Sequence, residues 1–320
     1  MNGLRFPARM RGPRKRGLIS GPREGRKAGR MQAFDYVAPA SVQEAVAVLA
    51  KHGAAARVLA GGTDLIIQAR EGRRDVAVMV DVKGIAELTS ITHGGDGSLR
   101  IGAATSCAKI YGDAQIAKRF PALIDSASLI GGIQIQSRAS LGGNLCNSGP
   151  AGDSIPTLIV LGATCEITGP GGSRSVPVEQ FCTAPGRNVL QNGEMLVALS
   201  FPAPAGKSGA AFERFIPRNE MDIAVANAAT SVTLSADGSR FESARIAIGA
   251  VAPTPLFVPA AAAALAGQPV SPETIAKASE AAQAAASPIT DMRGSIDQRR
   301  HLVGVLVKRT INTAVARARG

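Results

Sequence analysis

Cysteine, histidine and tryptophan are scarce in this chain, which limits the metal sites it can form. There is no Trp, and three His and four Cys occur among 320 residues. The cysteines show no C-x-x-C spacing, which argues against a self-contained iron–sulfur cluster or an all-cysteine zinc site. The histidines are isolated and no H-E-x-x-H occurs, so we expect no metal site and a reduced, cytoplasmic setting.

Long apolar runs and the common nucleotide-binding signatures are also absent. No apolar run approaches about 18 residues, so we expect no transmembrane helix. No G-x-G-x-x-G opens a strand–helix–strand unit and no G-x-x-x-x-G-K-[ST] occurs, so neither a Rossmann dinucleotide site nor a P-loop is supported. The G-x-S-x-G elbow of serine hydrolases is missing too.

Positive charge is concentrated at one end of the chain. Residues 1–30 contain ten Lys or Arg and one acidic residue, Glu24, so they carry +9 of the net charge of +12. They lack the apolar segment of a secretory signal, and their three prolines and six glycines argue against a helix. We therefore expect a disordered extension, or a start codon placed before a natural start at Met31. A basic arm that contacts nucleic acid or an acidic partner is the alternative.

A change of pattern near residue 206 divides the remainder into two predicted domains. Residues 31–206 mix helix and strand signals, including a capping box of Ser41 and Glu44, and residues 203–209 read as a linker. Residues 207–320 show strand patterns and then helix patterns. The strands are predicted near 211–216, 228–234 and 244–250, and the helices near 260–266, 272–286 and 296–318. The pattern predicts an α+β chain, with a mixed α/β region before a smaller sheet-plus-helices domain.

The most informative stretch lies at residues 140–153, SLGGNLCNSGPAGD. Its four glycines predict a loop whose bare backbone contacts a ligand, because glycines let N–H groups come close to phosphate oxygens. A second glycine pair lies at residues 58–66, VLAGGTDLI, so a phosphate group would be held from two sides. Asp153 suits the hydroxyls of a sugar or sugar alcohol, and phosphates with a polyol are what FAD presents.

Structural explanations of the same residues stay open at this point. Gly61 and Gly62 could form an ordinary strand-to-helix turn, and Asp153 could be the N-cap of the helix predicted from residue 155. Cys146 is expected to be a small packing residue and not a nucleophile. The charged residues at 291–300 fit an ion-pair set or a subunit interface better than a functional site.

The two glycine motifs together resemble those of the FAD-binding medium subunit of the xanthine dehydrogenase and carbon monoxide dehydrogenase family of molybdenum hydroxylases. In that family one motif is similar to AGGTDL and the other to T-[IL]-GGN-[LI]-x-N-x-S-P-x-x-D. The similarity extends over residues 34–318, including GAVAPTPL at 249–256 and ITDMRGSIDQRRHLVGVL at 289–306. It implies two α/β subdomains of the p-cresol methylhydroxylase or vanillyl-alcohol oxidase type around FAD, and a C-terminal α+β domain with a three-stranded antiparallel sheet.

The resemblance also implies which residues bind FAD. Backbone N–H groups in the two motifs would hold the pyrophosphate, Asp153 would bind ribityl or ribose hydroxyls, and Leu196 would pack near the adenine or the flavin. Arg214 stands where the family often has Lys, and an Arg keeps the charge but not the shape. The implied set, which contains no catalytic residue and no metal ligand, is Ala60, Gly61, Gly62, Thr63, Asp64, Ser140, Leu141, Gly142, Gly143, Asn144, Asp153, Leu196 and Arg214.

The family role implies an electron relay. Electrons would pass from a molybdenum–pterin site on a large subunit, through two 2Fe–2S clusters on a small subunit, to a non-covalently bound FAD on this chain. They would leave to NAD, oxygen or a quinone, and the assembly would be a dimer of heterotrimers. The alternatives are a stand-alone flavin oxidoreductase of the same fold and a flavin-free assembly subunit.

Overall fold

A computed structural model describes residues 32–218 and 220–320 of the chain, so the basic residues 1–30 lie outside the described residues. The strands are β1 Asp35–Val37, β2 Ala56–Leu59, β3 Val78–Asp81, β4 Ile91–His93, β5 Leu99–Gly102, β6 Thr164–Gly169, β7 Gly172–Pro177, β8 Cys182–Ala184, β9 Arg187–Asn188, β10 Met195–Phe201, β11 Lys207–Phe215, β12 Ala226–Leu234, β13 Phe241–Gly249 and β14 Leu256–Phe257. The helices are α1 Val42–His52, α2 Leu65–Arg70, α3 Ala86–Thr89, α4 Cys107–Tyr111, α5 Ala114–Arg119, α6 Pro121–Ala127, α7 Ile133–Gln136, α8 Leu141–Asn147, α9 Ser154–Val160, α10 Pro259–Ala263, α11 Pro272–Ala285 and α12 Ile296–Arg319.

The first sheet is parallel, with the strand order β1-β3-β2. Helix α1 covers it and begins where the capping box predicts, because the Ser41 hydroxyl accepts from the Glu44 N–H at 3.2 Å. The Glu44 carboxylate in turn accepts from the Ala40 N–H at 2.9 Å. Since the carboxyl ends of parallel strands share one edge, β2 delivers the first glycine motif to that edge.

The second sheet is antiparallel, with the strand order β4-β5-β10-β6-β7. Helices α4 to α6, α8 and α9 pack on it around the largest hydrophobic core. Side chains such as Leu99, Ile101 and Leu199 meet Leu123 and Leu145 in this core. The second glycine motif therefore begins inside a helical layer that is fixed by apolar packing.

The third sheet, β11-β12-β13-β14, lies between two layers of helices. Alternation along its strands explains this, since Phe212 joins the core of the second sheet whereas Ala211 faces the core under α10 to α12. The three predicted antiparallel strands are present, and the structure adds β14, a two-residue strand paired with β13. The predicted boundary near residue 206 falls between β10 and β11.

Two local predictions differ from the structure. Helix α5 was not predicted, because its six residues bury only Ile116 and give no helical periodicity; Asp113 caps it by accepting from the N–H groups of residues 115 and 116. The linker predicted at 203–209 ends earlier in the structure, because β11 begins at Lys207. Among the described residues, no helix is both long enough and apolar enough to cross a membrane.

Candidate functional site

A cavity of about 520 Å³ lies between the parallel sheet and the helices that carry the second glycine motif. Its volume is within the range typical of small-molecule and cofactor sites. Ten of the thirteen predicted site residues line it: Ala60, Gly61, Gly62, Thr63, Asp64, Ser140, Gly142, Gly143, Asn144 and Leu196. Their contacts with a ligand stay a prediction, but the fold does bring both motifs to one cavity.

The first motif is the turn between β2 and α2. Gly62 has a φ of +78°, which favours glycine. Gly61 packs against the backbone just before the second motif, since a Cβ on Gly61 would be 2.1 Å from the Arg138 carbonyl oxygen. The strand-to-helix turn and the cavity wall are therefore the same piece of chain, and Gly61 is required by the protein's own packing.

The second motif differs from the prediction. Residues 140–153 were expected to form a loop, but residues 141–147 form helix α8. Ser140 caps it by accepting from the Gly143 N–H at 3.0 Å, and Leu141 and Leu145, one turn apart, are buried in the core. The cap and this apolar pair outweigh the poor helix propensity of the glycines.

The two glycines of α8 have different surroundings. A Cβ on Gly142 would lie 2.4 Å from the Ala103 carbonyl oxygen, so Gly142 packs against the protein. A Cβ on Gly143 would meet only the Ser140 Oγ, at 3.0 Å, and Gly143 lines the cavity. Gly143 thus leaves open space on the cavity side, where a ligand can approach the backbone.

Asn147 connects the two motifs, and sequence reasoning missed it. Gln68 Nε2 donates to Asn147 Oδ1 at 3.0 Å, and Asn147 Nδ2 donates to Asp64 Oδ1 at 3.3 Å. Burial raises the pKa of Asp64 above its ordinary value. The signal was present, because the family motif quoted above has an asparagine at this position. The two halves of the cavity wall are therefore held together by side chains of the motifs themselves.

Three predicted residues, Leu141, Asp153 and Arg214, do not line the cavity. Asp153 is only 8% exposed and forms an ion pair with Arg214, and Asn227 Nδ2 donates to its other oxygen at 3.4 Å. Burial raises the pKa of Asp153 to about 6, although Arg214 opposes this shift. Asp153 does occupy the N-cap position of α9, as the alternative interpretation expected, but its side chain makes no capping hydrogen bond there.

Cys146 also lines the cavity. Burial raises the pKa of its thiol to about 12, so it stays protonated and a poor nucleophile near neutral pH. This agrees with the packing role expected from the sequence.

The cavity suits a dinucleotide. Gly143 leaves room on one wall of the cavity. Neutral polar groups of Thr63, Ser140 and Asn144 line the cavity, and Leu196 supplies an apolar surface. A family model described as the FAD binding domain in molybdopterin dehydrogenase matches residues 32–204, and one described as the CO dehydrogenase flavoprotein C-terminal domain matches residues 211–314.

The chain belongs to the FAD-binding subunits of the molybdenum hydroxylases. It is 36% identical to the xanthine dehydrogenase FAD-binding subunit of Escherichia coli over 291 residues, or 90% of this chain and 99% of the relative. It is 33% identical to the carbon monoxide dehydrogenase medium chain of Afipia carboxidovorans over 287 residues, or 90% of this chain and 98% of the relative. This molybdenum hydroxylase flavoprotein is therefore a subunit of an oxidoreductase, and its cofactor is FAD.

Solved structures agree with the fold expected from the resemblance. Carbon monoxide dehydrogenase from Hydrogenophaga pseudoflava matches with a TM-score of 0.85 and 34% identity, over 91% of this chain and 99% of that chain. Quinoline 2-oxidoreductase from Pseudomonas putida 86 matches with a TM-score of 0.83 and 30% identity, over 90% and 99%. The predicted fold class of an FAD-binding region followed by a C-terminal α+β domain is confirmed.

Proposed function

We propose that this chain is the electron-transfer flavoprotein of a heteromeric molybdenum hydroxylase. FAD, bound non-covalently, would supply two-electron and one-electron redox chemistry between 2Fe–2S clusters on a partner chain and an external acceptor such as NAD or a quinone. The molybdopterin site would lie on a large subunit and the clusters on a small one, in a dimer of heterotrimers. The observation that carries the proposal is the single cavity lined by both glycine motifs.

The work of this chain's residues is to bind and orient the cofactor. Backbone N–H groups of the first motif and of the start of α8 would contact the pyrophosphate, and Leu196 would pack against a ring. The Asn144 side chain is fixed in position at the cavity wall, because its Oδ1 accepts a hydrogen bond from the Ser154 hydroxyl at 2.7 Å. A contact of Asp153 or Arg214 with the flavin stays a prediction, and it would require their present ion pair to rearrange.

Purified full-length protein tests the proposal. We expect a yellow protein, or a colourless one that takes up one FAD on titration. Gly143→Val should lose FAD, because its branched side chain would occupy the open space in front of the α8 backbone. Gly171→Val is the matched control, since Gly171 lies in the β6–β7 turn and a Cβ there would have no other atom within 4 Å.

Three outcomes would contradict the proposal. A protein that takes up no FAD would favour the flavin-free assembly subunit. A yellow protein that oxidises a small substrate without partner chains would favour the stand-alone oxidoreductase. Unchanged FAD content in Gly143→Val would overturn the placement of the pyrophosphate beside α8.

A further inference from the structure

Two arginines of the cavity wall, Arg57 and Arg74, have no carboxylate partner among the described residues. Both line the cavity. In the part of the chain that the structure describes, Arg57 Nε is buried without a hydrogen-bond partner. Arg57 Nη1 makes a long hydrogen bond, 3.4 Å, to the Ala56 carbonyl oxygen. Burial lowers the pKa of Arg57, and the positive charge of Arg74 lowers it further. Two like charges are thus held close together at a partly buried site, which is unfavourable unless an anion joins them.

The other charged residues of the wall do not neutralise this pair. Glu194 is already engaged, because Arg174 Nε and Nη2 donate to its two carboxylate oxygens at 2.7 Å each. Asp64 accepts from Asn147 and makes no ion pair in the described part of the chain. The cavity therefore keeps an uncompensated positive charge at Arg57 and Arg74.

We propose that Arg57 and Arg74 bind the diphosphate of the dinucleotide. This inference rests on the proposed function, and it adds charged donors to a clasp for which the sequence predicted backbone N–H groups and the Ser140 hydroxyl. A diphosphate carries about two negative charges, and N–H groups of glycines alone would leave that charge without a counter-ion in a half-closed cavity. Guanidinium groups match phosphate oxygens in planar, paired hydrogen bonds, and the free Arg57 Nε has the donor to make them.

Titration of flavin-free protein with FAD and, separately, with riboflavin tests the pair. Riboflavin has the same ring and ribityl chain but no phosphate. We expect Arg57→Gln and Arg74→Gln each to weaken FAD binding about tenfold, and the double variant about 100-fold, with riboflavin affinity unchanged. The ionic-strength dependence of FAD binding should also become shallower in the double variant, because fewer charges meet the diphosphate.

Arg187→Gln is the matched control. Arg187 is exposed between Gly186 and Asn188, which line the cavity, but it does not line the cavity itself. Its loss removes one charge nearby and should leave FAD affinity within about twofold, because an exposed charge is screened by salt.

The outcomes separate this inference from the proposed function. If the wild-type chain takes up no FAD, the proposed function fails and this inference with it. If it takes up FAD and the double variant binds FAD equally well, the inference is overturned and the function stands. A parallel loss of riboflavin binding would also overturn it, because the arginines would then act on something other than the phosphates.

Discussion

The cavity and the domain junction both use arginine, but they treat its charge in opposite ways. We define the domain junction as Asp153, Arg214, Asn227 and Gly249, where the start of α9 meets β11 to β13. There Arg214, 5% exposed, is neutralised by Asp153. In the cavity, Arg57 and Arg74 both line the wall and have no carboxylate partner in the described chain. Charge that the chain balances itself stabilises the fold, and charge that it leaves unbalanced is available to a ligand.

The same contrast holds for glycine. A Cβ on Gly249 at the junction would lie 2.3 Å from Asn227 Oδ1 and 3.3 Å from the Pro150 carbonyl oxygen. A Cβ on Gly143 would meet only one atom, the Ser140 Oγ at 3.0 Å. The junction is closely packed, whereas the cavity side of α8 is open. Substitutions at the junction should therefore change stability, and substitutions in the cavity should change ligand affinity.

The largest expected effect comes from removing the cation at the junction. Arg214→Met leaves Asp153 buried without its partner, and we expect it to lower the free energy of unfolding of the FAD-free protein by about 3–5 kcal/mol. Arg74→Gln removes a cation that has no carboxylate partner among the described residues, and it should change stability by no more than about 0.5 kcal/mol. Urea unfolding of the two variants side by side measures the difference. Equal losses would mean that the cavity arginines are structural as well.

The pH dependence of stability gives a somewhat smaller effect. Burial raises the pKa of Asp153 in the folded protein to about 6, above the ordinary value that the unfolded chain retains, so the folded state binds this proton more tightly. The stabilisation by the proton is complete below about pH 4 and is lost as the pH rises through 6. The slope is at most about 1.4 kcal/mol per pH unit.

Asp153→Asn isolates this contribution, because asparagine does not titrate. The free energy of unfolding of the wild type minus that of the variant should fall between pH 4 and pH 6, by about 3 kcal/mol at most. Urea unfolding at several pH values measures it. A difference that rises with pH would show that attraction to Arg214 outweighs burial and that the pKa of Asp153 is lowered.

The smallest expected effects on stability distinguish Gly249 at the junction from Gly143 in the cavity. Gly249→Ala forces Asn227 away from Asp153 and should cost about 1–3 kcal/mol of stability. Gly143→Ala adds a methyl group within a helix, where alanine is favoured over glycine, and should leave the stability of FAD-free protein within about 1 kcal/mol of wild type. Its FAD affinity should fall, since the methyl group occupies cavity space. A stability loss in Gly143→Ala as large as that in Gly249→Ala would contradict the contrast.

Local patterns in the sequence predicted much of the fold. The capping box placed the start of α1, and the strand and helix patterns placed β12, β13, α11 and α12. These features depend on residues within a few positions of each other, so the sequence contains them directly. The two glycine motifs were likewise readable, and their resemblance to one family predicted FAD.

The tertiary structure alone decided what individual residues of those motifs do. Residues 141–147 became a helix because Leu141 and Leu145 are buried by distant strands, which local glycine content could not reveal. Asp153 pairs with Arg214, 61 positions away, and so lies outside the cavity wall. The fold likewise brings Arg57 and Arg74 to one cavity wall, where the described chain gives neither a carboxylate partner. Burial and long-range pairing set the environment of a charge, and no pattern along the chain encodes either one by itself.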